Sequence, residues 1–268
     1  MAPTVLITGA SQGIGKATAL LFAHKGYDVV LAAREPDRLN IVAQEIRTQG
    51  RDALAVSTDV TNPQQVNTLA ERALAAYGHI DILVNNAGIC SSGSIEKTSL
   101  EDWHKVIDVN LWGYVHTIQA LLPQFLARGA GTIVNVGSFG GKVPLPYMTA
   151  YCTSKYAITG LTETLRLELE PKGIQVCGVH PSVTNTAFLE RSIFSGQDER
   201  ETKQWQQQMQ EMLASPFASQ PEDVAKAIWD VVKHPQAEVV VGTAAVATAT
   251  YRFAPGLMNW IFQRTRKA

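Results

Sequence analysis

Five apolar or β-branched residues, Thr4-Val5-Leu6-Ile7-Thr8, run straight into the glycine turn TGASQGIG, Thr8 to Gly15. The run reads as a strand, the glycines as a tight turn, and the residues from about Ile14 to His24 as a helix. A strand that leaves through a glycine turn into a helix returns as a parallel neighbour, so this opening commits the chain to a helix-covered sheet. Glycines at 9, 13 and 15 let the backbone turn and approach a ligand closely. The helix behind them aims free N–H groups and its positive dipole end at a phosphate. A dinucleotide pyrophosphate fits such a turn. The other phosphate loop, G-x-x-x-x-G-K-[ST], is excluded, because Ile14 stands where glycine is needed and Ala17 follows Lys16.

Further short apolar runs fall near 28–33, 53–57, 81–85, 131–136, 174–179 and 238–241, with amphipathic segments between them. That rhythm predicts an α/β fold: a single-domain, doubly wound parallel sheet, Rossmann-like, in three α/β/α layers. Its 268 residues are ordinary for one such domain. No internal repeat, low-complexity tract or Pro/Gly-rich linker divides it. The domain is expected over 1–242, and 243–268 is a C-terminal extension rather than a domain of its own. Ligands of such sheets bind at the carboxyl ends of the strands, where Gly9, Asn86, Ser138 and Pro181 all fall.

Charge narrows the function. The 23 basic and 24 acidic residues balance, so no sustained positive field argues for nucleic acid. Cys90, Cys152 and Cys177 are odd in number and lack metal-like C-x-x-C spacing, which suits reduced thiols and gives no metal site. No stretch reaches the ~18 apolar residues of a membrane span, and the N-terminus has no signal-peptide pattern, so a cytoplasmic address is expected.

Tyr151-Cys152-Thr153-Ser154-Lys155 places a phenol and an ammonium four residues apart on a segment that reads as helix, so both leave from one face. A free tyrosine titrates near about 10, and a lysine charge beside it favours the phenolate and makes it a usable acid/base. The pair is a proton handle for hydride chemistry.

The turn at Thr8 to Gly15, Asn85-Asn86-Ala87-Gly88, Asn110 in DVNLWG, Ser138 in IVNVGS and Tyr151/Lys155 follow one another in a fixed order. In that order and spacing, over residues 4 to 186, the chain resembles the short-chain dehydrogenase/reductases. The resemblance implies an enzyme moving a hydride between a nicotinamide cofactor and a carbonyl or secondary alcohol. Tyr151 would be general acid in reduction and base in oxidation, with Lys155 lowering its pKa and bonding the nicotinamide ribose. Ser138 would hold the substrate oxygen, and Asn110 would fix the geometry linking Lys155 to solvent. Gly9, Ser11, Gly13, Ile14 and Gly15 would line the cofactor site, together with Asn86, Ala87 and Gly88. Pro181, Val183, Thr184 and Thr186 match the segment that receives the nicotinamide carboxamide, where Ser182 departs from the family's glycine and His180 reads as structural. Asp59 and Val60 resemble the adenine-contacting pair and also read as the lead into a helix cap before Pro63.

The second strand ends Ala33-Arg34, where an NAD-binding relative would carry an acid. A guanidinium at Arg34 clamps a 2′-phosphate, which points to NADP(H) over NAD(H), against Glu35 as the opposing carboxylate. The region 187–217 resembles the family's mobile substrate lid. Its Phe188, Leu189, Trp205, Met209, Met212 and Leu213 suit a bulky apolar substrate or pack the lid onto the body. Val143, Met148, Ser92 and Cys152 are expected to extend the pocket wall formed by Ser138, Tyr151 and Phe188. Beyond Gly242, Leu257 to Phe262 and the basic Arg264, Arg266 and Lys267 read as a short amphipathic helix. Three readings of it stand open: packing on a neighbouring subunit, a cover over the pocket, or peripheral membrane contact. The family associates through helices here expected near 102–127 and 152–170, implying a homodimer or homotetramer. An NAD-dependent alcohol dehydrogenase and a non-catalytic dinucleotide sensor or scaffold are the alternatives.

Overall fold

The computed structural model describes residues 2–185, 192–195, 199–214, 218–242 and 244–256. The strands are β1 (Thr4–Thr8), β2 (Asp28–Ala33), β3 (Ala53–Ser57), β4 (Ile82–Asn85), β5 (Ser91–Gly93), β6 (Gly131–Val136), β7 (Ile174–Pro181), β8 (Ile193–Ser195) and β9 (Glu238–Val241). The helices are α1 (Gly13–His24), α2 (Pro36–Thr48), α3 (Pro63–Tyr77), α4 (Leu100–Ile107), α5 (Gly113–Arg128), α6 (Thr149–Leu169), α7 (Glu199–Ala214), α8 (Pro221–Lys233) and α9 (Ala244–Phe253). Seven strands form one sheet in the order β3-β2-β1-β4-β6-β7-β9, every neighbouring pair parallel. The direction of winding reverses between β1 and β4, which opens a crevice at their carboxyl ends.

Both faces of the sheet are covered, which is why its strands read as nearly continuous apolar runs. Alternate residues divide between two cores. Val5, Ile7, Val29 and Leu31 pack with Phe22 of α1, Val42 of α2 and Ile228 of α8. Leu6, Val30, Leu83 and Ile133 pack with Leu69 of α3 and with Ile118 and Phe125 of α5. A one-residue slip of any strand would exchange the two sets, so burial fixes the register.

Local chemistry sets the helix starts. Pro36, Pro63 and Pro221 open α2, α3 and α8, where a missing N–H costs nothing. The Asn62 side chain caps α3 by accepting from the Gln64 and Gln65 amides at 3.0 and 3.1 Å. The helix expected near 102–127 is interrupted: α4 and α5 are joined by a π-helical turn, Asp108–Trp112, that carries Asn110. β7 runs two residues past the expected end, because Pro181 still pairs with Val241. The two-stranded β5–β8 sheet was not foreseen, since three-residue strands leave no periodic signal. Leu257 to Lys267 lie outside the described residues.

Candidate active site

At the end of β1 the chain turns through Gly9 and Gly13, whose φ angles of 65° and 54° are left-handed. The loop is stitched to the end of β4. Asn86 Nδ2 donates to the Thr8 and Gly9 carbonyls at 2.9 and 3.3 Å, and the Asn86 and Ala87 amides both donate to Thr8 Oγ1. Gly15 leaves room for this brace, since a Cβ there would lie 2.7 Å from Asn86 Nδ2. Among the described residues no side chain caps the first turn of α1, which leaves its amides available to an acceptor. Buried Ser11 stands in the same turn. This cradle fits a dinucleotide pyrophosphate.

A cavity of about 460 Å³ opens beside it. Gly9, Gly13 and Ile14 form one wall, Asn86, Ala87 and Gly88 continue it, and Pro181, Ser182, Val183 and Thr184 face it from the end of β7. Ser138, Tyr151 and Lys155 line the same space. Tyr151 and Lys155 leave α6 one turn apart and are almost wholly buried. Ser138 caps a short 3-10 turn, its Oγ accepting from the Gly140 amide at 3.1 Å, and it lines the cavity together with Tyr151.

The electrostatics depart from expectation. Burial dominates Tyr151 and pushes its phenol above the ordinary range; neighbouring Cys90 adds to the rise and the nearby Ser138 hydroxyl opposes it. Burial also holds the Lys155 ammonium down at about 8. Its Nζ donates to the Val136 carbonyl at 3.2 Å and lies 5.5 Å from the Tyr114 ring centroid and 6.0 Å from that of Tyr151. Desolvation, not the neighbouring lysine, sets the direction in which the Tyr151 phenol moves.

Asn110 is fully buried and engaged by protein on both ends of its amide. Oδ1 accepts from the Ile89 amide at 2.8 Å, and Nδ2 donates to the Ile89 carbonyl and Ser154 Oγ, each at 2.9 Å. The π-turn thus ties the segment after Gly88 to α6, one residue before Lys155.

Several expected residues stand off the cavity. Exposed Arg34 follows the end of β2, and exposed Glu35 is the N-cap of α2 with no cap bond from its side chain. Asp59 Oδ1 accepts from the Thr61 amide and hydroxyl, and Val60 packs on Gly113 while its carbonyl meets His116 Nδ1 at 2.8 Å. Val143 does not form pocket wall as expected: it is fully buried and stands off the cavity. Ser92 lies in β5, and Cys152 packs with Cys90 and Leu145 rather than facing the cavity. Met148 does line it. Ser182 has no positive φ, so serine in place of glycine is unstrained, and its Oγ lies 3.1 Å from Ser219 Oγ. Thr186 and Phe188 lie outside the described residues.

The sequence reading missed Cys90, Leu145 and Pro146 as wall residues. Their place between Gly88 and Tyr151 was the available signal. Leu213 brings α7 against the cavity. Arg38, also unforeseen, donates from Nη1 to Gln12 Oε1 and so links α2 to the glycine turn. Among the described residues no three His, Cys, Asp or Glu side chains are grouped to hold a metal ion, and no helix is long and apolar enough to cross a membrane.

Comparison with known proteins places this geometry. The family model described as short chain dehydrogenase matches residues 3–198. A cyclohexanol dehydrogenase of an Acinetobacter species is 37% identical over 185 residues, covering 69% of this chain and 74% of that protein. The crystal structure of a short chain dehydrogenase/reductase from Burkholderia phymatum in complex with NAD superposes with a TM-score of 0.87 at 29% identity, covering 96% of this chain and 95% of that one. An alcohol dehydrogenase from Thermococcus sibiricus complexed with 5-hydroxy-NADP gives 0.75 at 27% identity, over 90% of this chain and 96% of that one.

Proposed function

This chain belongs to the short-chain dehydrogenases, as an NAD(P)-dependent oxidoreductase of CH–OH and C=O groups, and from that premise we propose that it is an NADP(H)-linked enzyme acting on a bulky, apolar ketone or secondary alcohol. The observation that carries the reading is that Ser138, Tyr151 and Lys155 line one wall of a cavity whose other side is the glycine cradle. When bound there, the nicotinamide supplies or accepts the hydride. Tyr151 delivers the proton to the substrate oxygen in reduction and removes it in oxidation. The Ser138 hydroxyl holds that oxygen and favours its developing negative charge. Lys155 keeps a cation beneath the pair, and Asn110 holds the backbone that aligns them.

Leu145, Met148, Cys90 and Leu213 give the cavity its apolar character, which supports a hydrophobic substrate. The cyclohexanol dehydrogenase likeness supports the same class. NADP(H) is favoured by Ala33 at the strand end, which offers no carboxylate, and by the exposed guanidinium of Arg34. Exposed Trp112 and Leu126 on one helix arm and Tyr156 and Leu167 on α6 support association as a homodimer or homotetramer. Three buried free thiols support a cytoplasmic setting.

Fluorescence titration with NADPH and NADH, followed by turnover of cyclohexanol and cyclohexanone, tests the reading. Tighter NADPH binding with turnover supports it. Preference for NADH moves the ribose contact to Glu35, and binding without turnover of any alcohol or ketone removes the assigned chemistry.

A further inference from the structure

His180 lies at the end of β7 with only 2% of its surface exposed, outside the cavity wall and untouched by the chemistry above. Its ring fills the space beside two glycines. A Cβ at Gly137 would meet its Cε1 at 2.8 Å, and a Cβ at Gly178 would meet its Nε2 at 2.9 Å. The imidazole therefore rests directly against the backbone that leads into Ser138. Among the described residues its buried Nδ1 has no hydrogen bond of normal geometry.

The other edge of the ring faces an ion cluster. His180 Nε2 lies 3.7 Å from Glu238 Oε2, and the same carboxylate oxygen bonds Lys142 Nζ. Lys142 closes the 3-10 turn that begins at Ser138, and its ammonium also lies 3.5 Å from Glu163 Oε1 on α6. Arg252 of α9 approaches Glu238 from solvent at 3.9 Å. The turn bearing Ser138 is thus held at its start by the imidazole and at its end by Lys142, and both restraints converge on Glu238. Burial first, and the Lys142 charge next, keep the imidazole at about 4 against the pull of Glu238, so at neutral pH it is an uncharged wedge.

We propose that His180 is a positioning residue for Ser138: seated on Glu238 and pressed against Gly137, it sets where the Ser138 hydroxyl points. The inference rests on the reading of Ser138 as the hydroxyl that holds the substrate oxygen. Sub-ångström placement of that group matters because the hydroxyl must meet the substrate oxygen and Tyr151 at once.

The test is a double-mutant cycle on the full chain with Ser138→Ala, His180→Leu and the combination, and with Glu238→Gln as a milder variant should His180→Leu fail to fold. Two readouts are taken: steady-state turnover of cyclohexanol with NADP, and amide hydrogen exchange at Gly140, whose N–H bonds Ser138 Oγ. His180→Leu is expected to lower kcat by roughly 10- to 100-fold while KM for the cofactor stays within about twofold. Gly140 exchange accelerates by about 10-fold, Glu238→Gln moves both readouts the same way by less, and the combination loses nothing beyond Ser138→Ala. Additive losses in the combination, or Gly140 exchange unchanged in His180→Leu and Glu238→Gln, would overturn the proposal. Wild-type protein that turns over no alcohol or ketone counts against the function alone, and the exchange readout then decides this inference by itself.

Discussion

Lys155 Nζ stands 6.0 Å from the centroid of the Tyr151 ring and gives a hydrogen bond to the Val136 carbonyl at 3.2 Å. Its charge is shared with a backbone dipole, while Tyr151 has lost nearly all contact with water. Desolvation of the phenolate therefore wins, and the tyrosine sits above its ordinary pKa. Alcohol oxidation needs the deprotonated phenol, so its rate should climb with pH through the alkaline range, by up to about tenfold per unit. Ketone reduction uses the protonated phenol and should stay level until Lys155, held at about 8, gives up its charge. Initial rates in both directions across pH check this. An oxidation rate that levels off on the acid side of the Lys155 transition would mean that the lysine already holds the phenolate.

Tyr151→Phe keeps the ring that packs with Cys90 and Cys152 and removes only the hydroxyl. Turnover should fall by roughly 100- to 10,000-fold, the usual worth of a positioned acid/base. NADPH affinity by fluorescence should change less than about threefold, since the cradle is built from backbone at Gly9 to Gly15. Retained turnover would remove Tyr151 from the chemistry.

The fold was legible because burial on both faces turned each main-sheet strand into an apolar run and each crossover into an amphipathic stripe. Gly9, Gly13 and Gly15 were legible for a different reason: left-handed φ at Gly9 and Gly13 and close packing of Gly15 on Gly9 and Asn86 admit few other residues, so chemistry and spacing coincide. The cavity wall was not. Val143 and Met148 look alike in sequence, yet the loop turns one into the core and the other toward the cavity, and that choice is made by tertiary packing. Nor was the fate of Tyr151 visible, because the i,i+4 spacing to Lys155 says nothing of how much water the pair keeps. The π-turn that lets Asn110 grip Ile89 also left no mark, since it inserts no residue type that breaks a helix.

Gly15→Ala should damage the cradle more than its single methyl suggests. The new Cβ would lie 2.7 Å from Asn86 Nδ2 and 2.8 Å from the Gly9 carbonyl carbon, so either the brace from β4 or the start of α1 has to move. A loss of about 1–3 kcal/mol in urea unfolding is expected, with NADPH binding weakened at least about tenfold. Gly160→Ala, where a Cβ meets nothing, is the matched control and should leave both unchanged or gain slightly in helix stability.

His180 gives the fold an acid limit. Its folded-state value of about 4 lies below the ordinary histidine range, so as pH drops past the unfolded value the unfolded chain takes up a proton that the native chain refuses. Stability is therefore unaffected above that range and declines as pH falls toward about 4. Between pH 7 and pH 5 the loss from this group should be on the order of 2 kcal/mol. His180→Asn has no such titration, so its urea midpoint should change less over the same interval. Equal slopes for wild type and variant would place the acid sensitivity elsewhere.

Arg34 and Arg38 should separate cofactor choice from cofactor binding. Arg34 is exposed directly after the strand end at Ala33, where a 2′-phosphate would meet its guanidinium. Arg38 lies one helical turn further along α2 and is already committed to Gln12 of the glycine turn. Arg34→Ala should then cost NADPH about 1.5–3 kcal/mol, the worth of a charge-assisted contact, and leave NADH alone. Arg38→Ala loosens the cradle itself and should weaken both cofactors by the same factor. Isothermal titration of each variant with each cofactor gives four affinities. A loss specific to NADPH in Arg38→Ala, with none in Arg34→Ala, would transfer the phosphate clamp from the strand end to the helix, and equal affinities throughout would leave Glu35 as the residue that meets the ribose.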